Sequence, residues 1–206
     1  MFDDYCARMP IVASITELEA LYGEPVASSL TKEIDHLTVL HRAYVEASPF
    51  VVVATCGPGG MDCSPRGDPA GFVHVADERT LLLPDRRGNN RLDTLRNLIS
   101  DPRIGLLFLI PGVDETLRVN GRARLCDEAD RRAPFAADPR VRLVIEVDVE
   151  EVYLHCAKAL MRSQLWQPGS WPQRSVMPSM NAMIGDQIGA PAAGTESQAD
   201  MLVRYR

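Results

Sequence analysis

The sequence predicts a mainly β (α+β) protein built on a small antiparallel barrel of about six strands, with helices at both ends. Three observations support this fold class. Strand-like segments follow one another with short connections from residue 49 onward. One clear helical segment, near residues 90–100, interrupts them. The regular alternation of strands and helices that a parallel sheet requires is missing, which argues against a doubly wound fold.

The N-terminal part is predicted to be helical. Ser14 and Glu17 have the spacing of a capping box, and Gly23 is a natural helix end. A second helix is predicted over residues 28–48, and Pro49 ends the helical signal. The residues that give this second helix its periodicity are Leu30, Ile34, Leu37, Leu40, His41 and Tyr44.

Six segments are predicted to be strands. They are residues 49–57, 61–75, 79–85, 103–110, 115–127 and 141–156. The turn Gly57–Gly60 closes the first, whereas Pro65, Gly67 and Pro69 are expected to break the second. Apolar and polar residues alternate cleanly in the fifth segment. In the sixth, the phase of the alternation slips at Glu150–Glu151, which predicts a β-bulge.

Composition limits the possible functions. A net charge of -6 and a pI near 5.2 argue against nucleic-acid binding. No apolar run is long enough to span a membrane, and the N-terminus lacks the pattern of a secretion signal. The five cysteines are scattered and the four histidines form no metal-ligand pair. We therefore expect a cytoplasmic protein with reduced thiols and no metal site.

The turn before the predicted helix is unusually basic for an acidic chain. It contains Arg86, Arg87, Gly88, Asn89, Asn90 and Arg91. Asn90 is predicted as the N-cap, and the free N–H groups of a helix N-terminus bind phosphate readily. Further donors to a phosphate would come from Asn89, Asn90, Arg91 and either Arg86 or Arg87. The alternative is a solvated basic turn with an asparagine cap, and the local motif does not decide between them.

The order of these segments is more specific than any one of them. The hairpin "CSPRGDPAGFVHV", the stretch "TLLLPDRRGNNRLDTLRNLISDPRIGLLFLIPG", then "ETLRVNGRARL" and "LHCAKALMRSQLW" resemble the pyridoxamine 5'-phosphate oxidase-like, FMN-binding split-barrel family. The resemblance implies a six-stranded antiparallel split barrel that forms a homodimer, with FMN in clefts between the subunits. It divides the chain into an N-terminal helical segment (1–47), a split-barrel core (48–166) and a C-terminal extension (167–206).

The resemblance also implies a set of cofactor-binding residues. Ser64, Pro65, Arg66 and Gly67 would lie along the flavin ring and ribityl chain, and Leu83, Pro84 and Asp85 would continue that wall. Asn89, Asn90 and Arg91 would hold the 5'-phosphate. Thr116 and Arg118 would reach the cofactor from the partner subunit, and Ser163, Leu165 and Trp166 would complete the cleft.

The implied function is that of an FMN-dependent oxidoreductase, with hydride transfer through flavin N5 and a small-molecule substrate or electron donor. The chain ends in "MLVRYR". It therefore lacks the C-terminal segment with which the authentic oxidase grips its substrate, so pyridoxamine phosphate is not the expected substrate. No catalytic acid or base stands out. The alternatives are a non-catalytic FMN-binding or sensing protein, and the same fold with F420 or haem.

Overall fold

The structure is a computed structural model that describes residues 11–190 together with residues 200 and 203. The chain divides into two compact units, Met1–Ser163 and Gln164–Arg206. The sequence also predicts a short helix over residues 197–205, which lies largely outside the described residues. No helix within the described residues is long and apolar enough to cross a membrane.

One antiparallel sheet of seven strands forms the centre of the first unit, in the order β2-β1-β5-β6-β7-β4-β3. This confirms the predicted mainly β class and adds one two-residue strand, β3, to the six expected. The strands are β1 Phe50–Gly57, β2 Gly60–Gly67, β3 His74–Val75, β4 Thr80–Arg86, β5 Arg103–Leu109, β6 Thr116–Cys126 and β7 Val141–His155.

Helices flank this sheet and occur again in the second unit. The first unit contains α1 Ile15–Tyr22, α2 Ala27–Thr31, α3 Val39–Ala47, α4 Asp93–Ser100, α5 Ala129–Arg132 and α6 Lys158–Ser163, and the second contains α7 Met180–Ile188. The Ser14 side chain accepts a hydrogen bond from Glu17 N, so the predicted cap of α1 is confirmed. Apolar side chains of the inner sheet face form the core with residues of α3 and α4, such as Val45, Leu95 and Leu98.

The predicted bulge in β7 is confirmed. Asn120 of β6 pairs with Glu151, but the next residue, Gly121, pairs with Val149, so Glu150 is the extra residue. The two strands approach so closely here that a Cβ atom on Gly121 would lie 2.1 Å from the carbonyl oxygen of Asp148. Glycine is therefore required on β6 opposite the bulge.

The single helix predicted over residues 28–48 is wrong. The chain forms α2 and α3 instead, because Ile34 leaves the helical path and forms an antiparallel bridge with Val152 of β7. Thr38 then starts α3 with a capping box in which its hydroxyl accepts from His41 N. The helical periodicity of residues 28–48 therefore predicts the two ends of this segment correctly, but the backbone pairing of Ile34 with β7 interrupts the helix between them.

The expected break in the second predicted strand is confirmed, since β2 ends at Gly67 and β3 begins at His74, but Pro65 does not itself interrupt β2. Pro65 pairs with Val52 of β1, and β2 is an edge strand of the sheet. An edge strand tolerates proline because its nitrogen can face away from the single neighbouring strand.

Candidate functional site

The inner face of β2 carries three polar side chains. Asp62, Ser64 and Arg66 are half-buried, whereas the residues that alternate with them, Met61, Cys63 and Pro65, are exposed. Alternate residues of a strand point to opposite faces, so these three polar groups form one row.

Hydrogen bonds connect this row to the first turn of α4. Thr94, which is 3% exposed, donates to Asp62 Oδ2 at 2.5 Å and accepts from Arg66 Nη2 at 3.1 Å. Ser64 donates to Asp62 Oδ1 at 2.9 Å. The Thr94 hydroxyl, which is itself bonded to the Asp62 carboxylate, therefore holds Arg66 beside the start of the helix.

Asn97 holds α4 against the β1–β2 hairpin. Its amide donates to Thr55 Oγ1 at 3.2 Å and to the Gly60 carbonyl at 3.4 Å. A Cβ atom on Gly57 would lie 2.4 Å from Asn97 Oδ1, so the glycine makes room for this amide. The hairpin turn that the sequence predicts thus also positions the N-terminus of α4.

The basic loop precedes α4 on the surface, and residues 87–92 are all exposed. The predicted N-cap is wrong: α4 begins at Asp93 after Leu92, and both Asn90 and Leu92 have left-handed backbone, with φ of 60° and 61°. Arg91 Nε donates to Asp93 Oδ2 at 2.8 Å, and Asn89 Oδ1 accepts from Arg91 N at 3.1 Å. These two bonds fold the loop back toward the first turn of the helix.

Arg86 is half-buried and is neutralised by two carboxylates. Its guanidinium contacts Asp68 Oδ2 at 2.6 Å and Asp138 Oδ2 at 2.7 Å. Hydrogen bonds from Arg140 and Arg86 lower the pKa of Asp138. Of the two arginines considered for an anion site besides Arg91, the exposed Arg87 is therefore the better placed.

The end of β4 adds an apolar wall and a carboxyl group. Leu83 and Pro84 are buried, and Asp85 is half-buried. Burial raises the pKa of Asp85, and the charges of Arg66 and Arg86 oppose that rise. The ion pair between Arg86, which ends β4, and Asp68, which follows β2, shows that the ends of these two strands lie near each other.

Thr116 and Arg118 lie on another part of the sheet. The pairing register runs from Arg66 through Val51 and Phe108 to Leu117, three strands away. At about 4.8 Å between neighbouring strands, this separation is roughly 14 Å. Within one chain, the two β6 residues are therefore remote from the row on β2.

The remaining predicted residues lie on either side of the sequence boundary between the two units. Ser163 ends α6, where its hydroxyl donates to the Leu160 carbonyl at 3.0 Å. Leu165 and Trp166 belong to the second unit, where Trp171 Nε1 donates to the Leu165 carbonyl at 2.8 Å.

Three residues that organise this region are absent from the sequence prediction. Asp62 could have been found, because Asp62, Ser64 and Arg66 repeat every second residue. Thr94 and Asn97 carry no local signal, since their partners lie 32 and 42 residues away in the sequence. Within the described ranges, no group of three or more potential metal ligands is positioned to bind an ion.

Comparisons with known proteins identify the family. Residues 37–156 match the family model described as Pyridoxamine 5'-phosphate oxidase, which is more than half of the chain. A comparison with curated proteins finds no match.

Three solved structures are similar to this chain at low sequence identity. HupZ from Group A Streptococcus is 17% identical, with 57% of this chain and 93% of that chain covered and a TM-score of 0.47. General Stress Protein 26 from Bacillus anthracis is 12% identical, with 54% and 88% covered and a TM-score of 0.42. An FMN-binding protein from Syntrophomonas wolfei is 9% identical, with 57% and 90% covered and a TM-score of 0.42. From the family match over residues 37–156, the chain belongs to the pyridoxamine 5'-phosphate oxidase family of flavin-binding split-barrel proteins.

Proposed function

We propose that this protein is an FMN-dependent oxidoreductase. The observation that carries the proposal is the set of hydrogen bonds among Asp62, Thr94 and Arg66. It joins the polar face of β2 to the first turn of α4, beside an exposed loop that contains arginine and asparagine side chains. The family match over residues 37–156 supports a flavin as the ligand of this region.

The donor set suits a phosphate-bearing cofactor. Arg91, Asn90 and the amide of Asn89 would hold the 5'-phosphate, because guanidinium and amide groups bind phosphate oxygens strongly. Arg91 would have to leave Asp93, to which it now donates at 2.8 Å. Since this pair is exposed, the exchange costs little.

The β2 row and the end of β4 would contact the ring and its ribityl chain. FMN, when bound, supplies two-electron transfer between a small-molecule donor and an acceptor. Arg66, fixed by Thr94, would provide a positive charge that stabilises negative charge on the ring. Ser64, Pro65 and Gly67 would continue this side, and Leu83, Pro84 and Asp85 would form the wall next to it.

The distance between β2 and β6 supports a homodimer. Thr116 and Arg118 of one chain, three strands from Arg66, would complete the site of the partner subunit, together with Ser163, Leu165 and Trp166. Light scattering at micromolar concentration should give the mass of a dimer. A monomer that still binds FMN would contradict the shared site.

FMN uptake by the purified protein tests the proposed function. We expect flavin absorption bands and about one FMN per chain. Replacing Asn90 and Arg91 together with alanine should weaken FMN binding at least about tenfold, because charge-assisted hydrogen bonds contribute about 1.5–3 kcal/mol each. The matched control is Arg122→Ala, at an exposed arginine of β6. Unchanged affinity in the double variant would show that the phosphate site is wrongly assigned, and steady turnover with a nicotinamide donor would exclude a purely sensing role.

A further inference from the structure

A second group of cationic side chains surrounds Tyr153 on β7. Arg118 stacks on the Tyr153 ring, with its Cζ atom 4.0 Å from the ring centroid, and Lys32 Nζ lies 4.9 Å from the same centroid. The His155 ring is 4.6 Å from that of Tyr153. We call Lys32, Arg118, Tyr153 and His155 the Tyr153 cluster.

The sheet register brings this cluster together. Tyr153 pairs with Arg118 across β6 and β7, and His155 pairs with Thr116. On the other side of β7, Ile34 and Val152 exchange backbone hydrogen bonds of 3.1 and 2.7 Å. This antiparallel bridge places Lys32 opposite Leu154, whose carbonyl accepts from Lys32 Nζ at 3.0 Å. The cluster is therefore held by backbone pairing from three segments of the chain.

The cluster has more positive charge than its carboxylate can neutralise. Glu151 forms an ion pair with Arg118 and also accepts from Asn120 Nδ2 at 3.2 Å. Lys32 forms no ion pair with any residue in the range 11–190. Burial, with the charges of Arg118 and Lys32, lowers the pKa of His155. A bound negative group would reduce the repulsion among Lys32, Arg118 and a protonated His155, since like charges held close together are unfavourable.

Arg118 also retains unused hydrogen-bonding capacity. Its Nη2 atom donates to Glu151, whereas its buried Nε has no partner among the described residues. Buried donors in folded proteins are almost always satisfied, so an unpartnered one calls for an explanation such as a bound ion. Arg118 is one-third exposed, which leaves its outer edge accessible to a ligand.

We propose that the Tyr153 cluster is a binding site for an oxyanion, a phosphate or carboxylate group of a small molecule, held by Lys32, Arg118 and the protonated form of His155. Lys32 and His155 supply charge, and Arg118 supplies the fork of donors that matches planar or tetrahedral oxyanions. The cluster shares no residue with the loop at Asn89–Arg91, but Arg118 also belongs to the proposed flavin site of the partner subunit. Lys32 and His155 belong to the cluster alone, so the test is made at these two residues.

The test measures binding of inorganic phosphate by calorimetry at constant ionic strength. All proteins carry Arg91→Gln, so that the loop before α4 does not contribute. Lys32→Gln is the main variant, because Lys32 is exposed and its replacement should leave the fold intact. Arg122→Gln is the matched control, at an exposed cation on the same strand as Arg118. Acetate, titrated in parallel, distinguishes a carboxylate site from a phosphate site.

We expect Lys32→Gln to weaken phosphate binding about tenfold, and Arg122→Gln to leave it within about twofold, since a charge-assisted hydrogen bond is lost only in the first. In the protein with Arg91→Gln alone, phosphate should also raise the pKa of one histidine in the proton NMR spectrum, and adding His155→Gln should remove that signal. Equal phosphate affinity in Lys32→Gln and the control would overturn the proposal. It would also be overturned if Lys32→Gln weakened FMN binding but not phosphate binding, because the cluster would then belong to the cofactor.

Discussion

The hydroxyl group of Thr94 makes the hydrogen bonds that join Asp62 and Arg66 of β2 to α4, so one substitution can remove them. Thr94→Val keeps the shape of the side chain but removes one donor and one acceptor. Asp62 loses a hydrogen bond of 2.5 Å and Arg66 loses one of 3.1 Å. Thr94 is buried, so water cannot easily replace the missing hydroxyl.

The expected loss follows from these two bonds. A hydrogen bond to a charged group contributes about 1.5–3 kcal/mol, and Asp62 keeps its bond from Ser64. We therefore expect the free energy of unfolding to fall by about 2–3 kcal/mol. Urea unfolding followed by circular dichroism measures this change, with the slope of the transition unchanged.

The second effect should appear in cofactor binding. Arg66 loses its contact with α4, so the FMN dissociation constant should rise about three- to tenfold, equivalent to about 0.7–1.4 kcal/mol. Thr80→Val is the control. Thr80 is half-buried on β4, and its hydroxyl forms no hydrogen bond within the described part of the chain. The reasoning is refuted if Thr94→Val and Thr80→Val have unfolding free energies that agree within about 0.5 kcal/mol.

Three further predictions concern the frame of the site. Gly121→Ala should lower the free energy of unfolding in urea by at least about 3 kcal/mol, because the new Cβ atom would lie 2.1 Å from the Asp148 carbonyl oxygen. Gly59→Ala is the control. No atom lies within 4 Å of its new Cβ atom, so the loss should be less than about 1 kcal/mol. Asp85→Asn should raise the melting temperature at pH 7. The folded-state pKa of Asp85 is raised, so the charged form is disfavoured on folding, and the gain should vanish below the unfolded pKa near pH 4, where the wild-type carboxyl is neutral in both states. Asn97→Ala should cost about 1–3 kcal/mol and speed hydrogen exchange at the start of α4, and unchanged exchange there would argue against its role in holding the helix.

The sequence determined those features that depend on neighbouring residues. The β1 strand with its glycine-rich turn, the cap of α1 by Ser14 and the bulge at Glu150–Glu151 all follow from local patterns. Steric limits on glycine, side-chain capping and the two-residue period of a strand act over a few residues, which is why they can be recognised without a fold. The fold class and the family were also within reach for this reason.

Tertiary structure decided whatever depends on distant partners. The bridge between Ile34 and Val152 divides a helix that periodicity alone predicts as continuous. Left-handed backbone at Asn90 and Leu92 delays the start of α4, and the hydrogen bond between Thr94 and Asp62 joins residues 32 positions apart. Free energy gained by pairing backbone groups and burying polar side chains with partners exceeds local propensity, so only the folded chain shows which polar residues meet.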